Sequence, residues 1–147
     1  EEGVRPCTPK AVISMLKAHD IPIEGQKVTI IGRSMTVGSP LALMMTAENA
    51  TVTVCHTRTR NLKEEALRAD ILVAAVGKRE FVTADMVHKD MIVIDVGINF
   101  DENGKMLGDV HEEAWNHCRV ASAVPGGIGV ITVAELFDNL RILSQKA

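Results

Sequence analysis

The chain has 147 residues, 46% hydrophobic and 24% charged, with a formal net charge of -3; this is enough for one core and too short for two ordinary domains. Basic and acidic residues are interspersed, leaving no stripe to track a phosphate backbone, and no apolar run reaches the roughly 18 to 20 residues that cross a bilayer. Neither nucleic acid nor a membrane is therefore an expected partner, and three widely spaced cysteines without a CxxC suit reduced thiols in the cytoplasm, with the mitochondrion as the alternative location.

The first residue is Glu rather than Met, and Glu1-Glu2-Gly3-Val4-Arg5-Pro6 reads as the interior of a longer chain. A linker helix is expected over 9–19, with Thr8 as N-cap and Pro9 at the first helical position. Runs rich in β-branched residues follow at 28–31, 51–54, 71–75 and 91–94, and most are continuously apolar. They read as central strands of a parallel sheet covered on both faces. Helical spacing occupies 37–48 and 62–68 between them, so strand and helix alternate. The fold class expected is α/β, a doubly wound, Rossmann-like parallel sheet with helices on both faces, in a single domain over 1–147.

Further on, 83–87 predicts a short helical turn, 110–117 another, and 119–121 a last short strand. The segment 132–146 puts Val133, Leu136, Phe137, Leu140 and Leu143 on one side, as an amphipathic helix does. That face needs cover from the sheet, a further domain or a second copy. The glycine-rich stretch Pro125-Gly126-Gly127-Ile128-Gly129 before it reads as a loop.

Gly32 and Gly38 lie where a strand turns into a helix, so backbone amides and the helix N-terminus can face a pyrophosphate there. The spacing departs from GxGxxG, and a plain turn is the competing reading. About 20 residues on, where an NAD site keeps an acid for the ribose, the sequence has His56-Thr57-Arg58-Thr59-Arg60. Hydroxyl and cationic groups there, with Arg33, favour a 2′-phosphate and hence NADP over NAD.

Two more strand ends carry small residues, Ala74-Ala75-Val76-Gly77 and Asp95-Val96-Gly97-Ile98-Asn99. Ligands of open α/β sheets sit at such carboxyl ends. Asp95 and Asp109 read more readily as caps for loop amides than as an acid–base pair. The five histidines share no ligand spacing with a cysteine or acid cluster, so no metal is expected.

Together these residues resemble the bifunctional methylenetetrahydrofolate dehydrogenase/methenyltetrahydrofolate cyclohydrolases, in their C-terminal NAD(P)-binding domain. The resemblance runs from Pro6-Cys7-Thr8-Pro9 through Gly32-Arg33-Ser34, Val37-Gly38, Asn49-Ala50-Thr51, Asp95-Val96-Gly97-Ile98-Asn99 and Gly108-Asp109-Val110 to Val124-Pro125-Gly126-Gly127. It implies cofactor contacts from Gly32, Arg33, Ser34, Gly38, His56, Thr57, Arg58, Ala75, Gly77, Gly97, Ile98 and Thr132, and folate contacts from Pro125, Gly126 and Gly127. It also places Cys7 near the cleft. The chain departs from the family's pattern at Ser122-Ala123 and Val130-Ile131, where prolines are usual.

The activity implied is hydride transfer from 5,10-methylenetetrahydrofolate to NADP, followed by hydrolysis of the 5,10-methenyl product to 10-formyltetrahydrofolate. The family's catalytic tyrosine and lysine belong to a preceding folate-binding domain, and this sequence contains no tyrosine. No catalytic residue is expected in this chain, which should bind cofactor without full catalysis; the partners implied are folate, the preceding domain and a second copy in a homodimer. Rival readings are another NADP-dependent Rossmann dehydrogenase of shikimate type and a non-catalytic nucleotide-binding or dimerisation module.

Overall fold

Alternation along each central strand divides its side chains between two covering layers. The computed structural model describes residues 4–146; the reading of the first three residues, and the last residue of the expected domain, lie outside them. Strands β1 (Lys27–Ile31), β2 (Thr51–Cys55), β3 (Ile71–Ala74), β4 (Ile92–Asp95) and β7 (Val120–Ala121) form one parallel sheet in the order β2-β1-β3-β4-β7. Residues 28, 30, 71, 73, 92 and 94 point to one face. There they meet Ala11, Val12 and Leu16 of α1 (Cys7–Ala18) and Leu41 and Met45 of α2 (Gly38–Ala47).

The intervening residues Ile31, Leu72, Ala74 and Val93 point to the other face. They pack on Ala66 of α3 (Leu62–Leu67), on Met86 in a single 3-10 turn, Ala84–Met86, and on Ala114 of α4 (Glu112–Trp115). Helices thus cover both faces, and the fold is doubly wound. β2 is the exception among the expected central strands. It is an edge strand with Thr51, Thr53 and Val54 exposed, in keeping with its alternation of threonine and valine.

Two helix starts differ from the sequence reading. α1 begins at Cys7 rather than Pro9, because the Pro6 carbonyl accepts from Lys10 N at 3.0 Å and closes a turn earlier; Thr8 lies inside the helix and caps nothing. The last helix, α5 (Ile128–Lys146), starts four residues before Thr132. Gly129 sits in its first turn, where the first N–H groups lack intrahelical partners anyway and the cost of glycine is small. A hairpin of β5 (Asn99–Phe100) and β6 (Met106–Leu107) extends beyond β4 and was not expected.

α5 lies on α1 through a polar clasp. Lys10 Nζ sits 2.9 Å from Glu135 and 2.6 Å from Asp138, Ser14 Oγ donates to Glu135, and buried Asn139 donates to the Arg5 carbonyl at 2.8 Å. The opposite side of α5 carries Val133, Leu136, Phe137, Leu140 and Leu143, all exposed, Phe137 by 67%. The sheet of this chain does not cover that stripe.

Candidate functional site

β1 lies between β2 and β3, so the chain leaves it on one side and returns on the other. The carboxyl ends of β1 and β3 therefore diverge into a crevice, the usual ligand position in such sheets. Gly32 N donates to the Cys55 carbonyl at 2.8 Å and Ala75 N to the Ile31 carbonyl at 2.8 Å, which fixes the ends of β2, β1 and β3 side by side. A cavity of about 450 Å³ opens over these ends, lined by Thr8, Ser34 and Val37, by Ala75, Val76 and Gly77, by Val96, Gly97 and Ile98, and by Ile128, Gly129 and Thr132. The loops after β1, β3 and β4 and the start of α5 converge there.

The 32–38 loop holds itself in place. Ser34 Oγ accepts from Val37 N at 3.1 Å and from Gly38 N at 3.4 Å, and Ser39 Oγ donates to the Arg33 carbonyl at 3.1 Å. The N–H groups of Arg33, Ser34, Met35 and Thr36 have no acceptor among the described residues, so they remain available to an anion at the start of α2. Arg33 is exposed and has no acidic partner among the described residues.

At the end of β2, His56 Nδ1 accepts from Arg58 N at 3.2 Å and Thr59 Oγ1 accepts from His56 N at 2.8 Å, which shapes the turn. Thr57 and Arg58 are exposed on it. None of Arg33, His56, Thr57 and Arg58 lines the cavity. They flank the β1 end on the β2 side, an electropositive shoulder beside an apolar crevice.

Ile98 is 57% exposed on the cavity wall, and Thr132 Oγ1 is the buried side-chain atom without a hydrogen-bond partner among the described residues. A buried hydroxyl left unpaired is costly and is often completed by a ligand or water. Pro125, Gly126 and Gly127 line a second cavity of about 300 Å³ that shares Val96, Gly97, Ile98, Ile128 and Gly129 with the first. Cys7 lies one residue from Thr8 and accepts from Asn139 Nδ2 at 3.4 Å. Thr8, Val37, Val76, Val96, Ile128 and Gly129 are lining residues absent from the expected site, although all but Thr8 fall in loops or strand ends that the sequence marks.

Beneath the cavity lie two buried carboxylates. Asp95 accepts from Gly97 N at 2.9 Å, Asp109 N at 3.0 Å and Val110 N at 3.0 Å; Asp109 accepts from Val76 N at 2.7 Å, Gly77 N at 2.9 Å and Asn99 Nδ2 at 2.9 Å. Both cap loop amides, as the sequence led us to expect. Among the described residues no His, Cys, Asp and Glu cluster has the arrangement to hold a metal, and no helix is long and apolar enough to cross a membrane.

Burial pushes the Asp95 carboxyl up from 3.8 to about 6, against the pull of its three N–H donors, and the neighbouring Asp109 adds to the rise. A folded carboxyl that keeps its proton to higher pH than the unfolded one stabilises the fold below the unfolded value. That contribution is lost as pH rises through about 6. Between pH 5 and pH 7 the urea midpoint of the chain should therefore fall more steeply than that of Asp95→Asn, by about 1 kcal/mol in unfolding free energy, the rest of a total of about 3 kcal/mol being lost between pH 3 and pH 5. Parallel pH profiles for the two proteins would refute this.

Residues 6–147 match the family model of the tetrahydrofolate dehydrogenase/cyclohydrolase NAD(P)-binding domain. Bifunctional protein FolD 2 of Syntrophomonas wolfei subsp. wolfei is 97% identical over 147 residues, which cover 100% of this chain and 54% of that protein. The crystal structure of the bifunctional FolD enzyme of Campylobacter jejuni superposes with a TM-score of 0.92 at 44% identity, over 95% of this chain and 50% of that one. That of the Trypanosoma brucei FolD, complexed with NADP cofactor and inhibitor, gives 0.85 at 33% identity, over 92% and 48%. The chain spans about half the length of the curated relatives it matches.

Proposed function

The chain belongs to the tetrahydrofolate dehydrogenase/cyclohydrolase family as its NAD(P)-binding domain, and from that premise we propose that it carries the NADP site of a bifunctional folate enzyme. The activity proposed for the whole protein is oxidation of 5,10-methylenetetrahydrofolate by hydride transfer and hydrolysis of the methenyl product to 10-formyltetrahydrofolate. The observation that carries the cofactor reading is the convergence of the loops after β1, β3 and β4 on one crevice, beside an unpaired arginine and four free backbone N–H groups.

In this reading Gly32, Ser34 and Gly38 take the pyrophosphate and ribose, and Arg33, His56, Thr57 and Arg58 lie at the 2′-phosphate. Ala75, Gly77, Gly97, Ile98 and Thr132 border the nicotinamide, and the unpaired Thr132 hydroxyl fits a polar group there. NADP, when bound, supplies the hydride acceptor at C4 of its ring. Pro125, Gly126 and Gly127, in the adjoining cavity, face the folate. The catalytic side chains are assigned to a preceding folate-binding domain, and that domain and a second copy of the chain are the partners proposed. The exposed stripe on α5 supports a covering partner of this kind. Free thiols at Cys7, Cys55 and Cys118 fit a cytoplasmic setting.

Calorimetric titration of the chain with NADP and NAD tests the cofactor assignment. The wild type should prefer NADP, and Arg33→Ala should weaken NADP by about 1.5 to 3 kcal/mol while leaving NAD nearly unchanged. Equal loss for both cofactors would make the arginine a shaper of the loop. Absence of binding by either would leave a nucleotide-free interaction module.

A further inference from the structure

Asp109 is fully buried and does not line the cavity, yet it bonds to the backbone that does. One carboxylate oxygen accepts from Val76 N and Gly77 N, in the loop after β3; the other accepts from Asn99 Nδ2, the residue that follows Ile98. Its own N–H donates to Asp95, which in turn accepts from Gly97 N. The network therefore links the two loops that form one wall of the crevice, from 32 to 33 positions away along the chain on the β3 side.

Gly97 lies so close that a Cβ there would run into the Asp109 carboxylate. Burying two carboxylates in one network is expensive, and apolar residues of similar volume would join the same elements at lower cost. What apolar residues cannot do is fix backbone N–H groups from separate loops on one point. Directional hydrogen bonds to a shared carboxylate do this and leave little freedom in the spacing of the loops.

We propose that Asp109 is a positioning residue for the nicotinamide half of the cofactor site, holding the loops after β3 and β4 at the separation the ring requires. The inference rests on the cofactor reading above. The phosphate and adenosine half is assigned to the 32–38 loop and the end of β2, and none of those residues bonds to Asp109. The two halves are consequently separable by ligand.

The test is calorimetric titration of the 147-residue chain with NADP and with 2′,5′-ADP, which keeps the 2′-phosphate and lacks the nicotinamide. Asp109→Asn, which keeps the shape but sets an amide against the Asn99 donor, should weaken NADP about tenfold and leave 2′,5′-ADP within about twofold. Asn99→Ala removes the tie beside Ile98, together with a 3.4 Å bond to the Leu107 carbonyl inside the hairpin, and should weaken NADP about threefold with the same selectivity. It also answers the question if Asp109→Asn fails to fold. Equal weakening of both ligands, or unchanged NADP affinity in a folded variant, overturns the proposal. A wild type that binds neither ligand overturns the cofactor reading instead, and this one with it.

Discussion

Gly32→Ala should destabilise the chain by on the order of 3 kcal/mol or more and abolish NADP binding. Gly32 has φ +128, a conformation L side chains rarely adopt, and a Cβ there would sit inside the contact distance of the Ala75 carbonyl oxygen. That carbonyl belongs to the residue whose N–H fastens β3 to β1, and the Gly32 N–H fastens β1 to β2. A methyl group would have to part strands at the point where the crevice begins. Gly25→Ala is the internal control: its φ is +75, but nothing lies within 4 Å of the added Cβ. It should cost only about 1 kcal/mol of backbone strain and keep cofactor binding. Urea unfolding and calorimetry on the two variants provide the comparison, and similar losses for both would show that the contact with Ala75 is unimportant.

Asp95→Ala should cost about 3 to 5 kcal/mol, because it orphans three backbone N–H groups that the buried carboxyl now takes. These belong to Gly97, Asp109 and Val110, so the β4 loop and the chain leaving the hairpin lose their common acceptor together. Part of the cost is returned at neutral pH, where the wild-type carboxyl is itself held against its burial. Asp95→Asn retains an oxygen for two of the three donors and should lose roughly half as much. A lowered urea midpoint with an unchanged slope is the expected signature. A midpoint for Asp95→Ala within error of the wild type would refute it.

The parallel sheet was legible because Ile71, Leu72 and Val73, and Ile92, Val93 and Ile94, leave no polar position for a solvated face. The same reasoning misplaced β2, whose Thr51 and Thr53 already marked an edge. The helix starts were harder. Pro6 serves α1 with a backbone carbonyl, which no side-chain pattern announces, and the glycines at 126, 127 and 129 masked the first turn of α5. The β5–β6 hairpin left a signal that went unread: Asn103-Gly104 is a turn dipeptide, and Asp101 caps that turn by accepting from Asn103 N and Lys105 N.

For the candidate site, strand ends indicated where loops would meet, since that follows from parallel topology. The network under the crevice was only half visible. Asp95 and Asp109 could be read as caps, but which amides they would take depends on a register that Val76 and Asn99 acquire only when the chain is folded.

The clasp between α1 and α5 joins residues 128 and 134 positions apart, nearly the whole length of the chain. Closing so long a loop costs entropy before any contact compensates for it, and contacts of this kind form late. During synthesis α1 can lie against the growing sheet but cannot be locked, because Asp138 emerges 128 residues after Lys10. Locking of α1 is thus timed by α5, and a stalled chain lacking that helix leaves Lys10 and Ser14 without these partners.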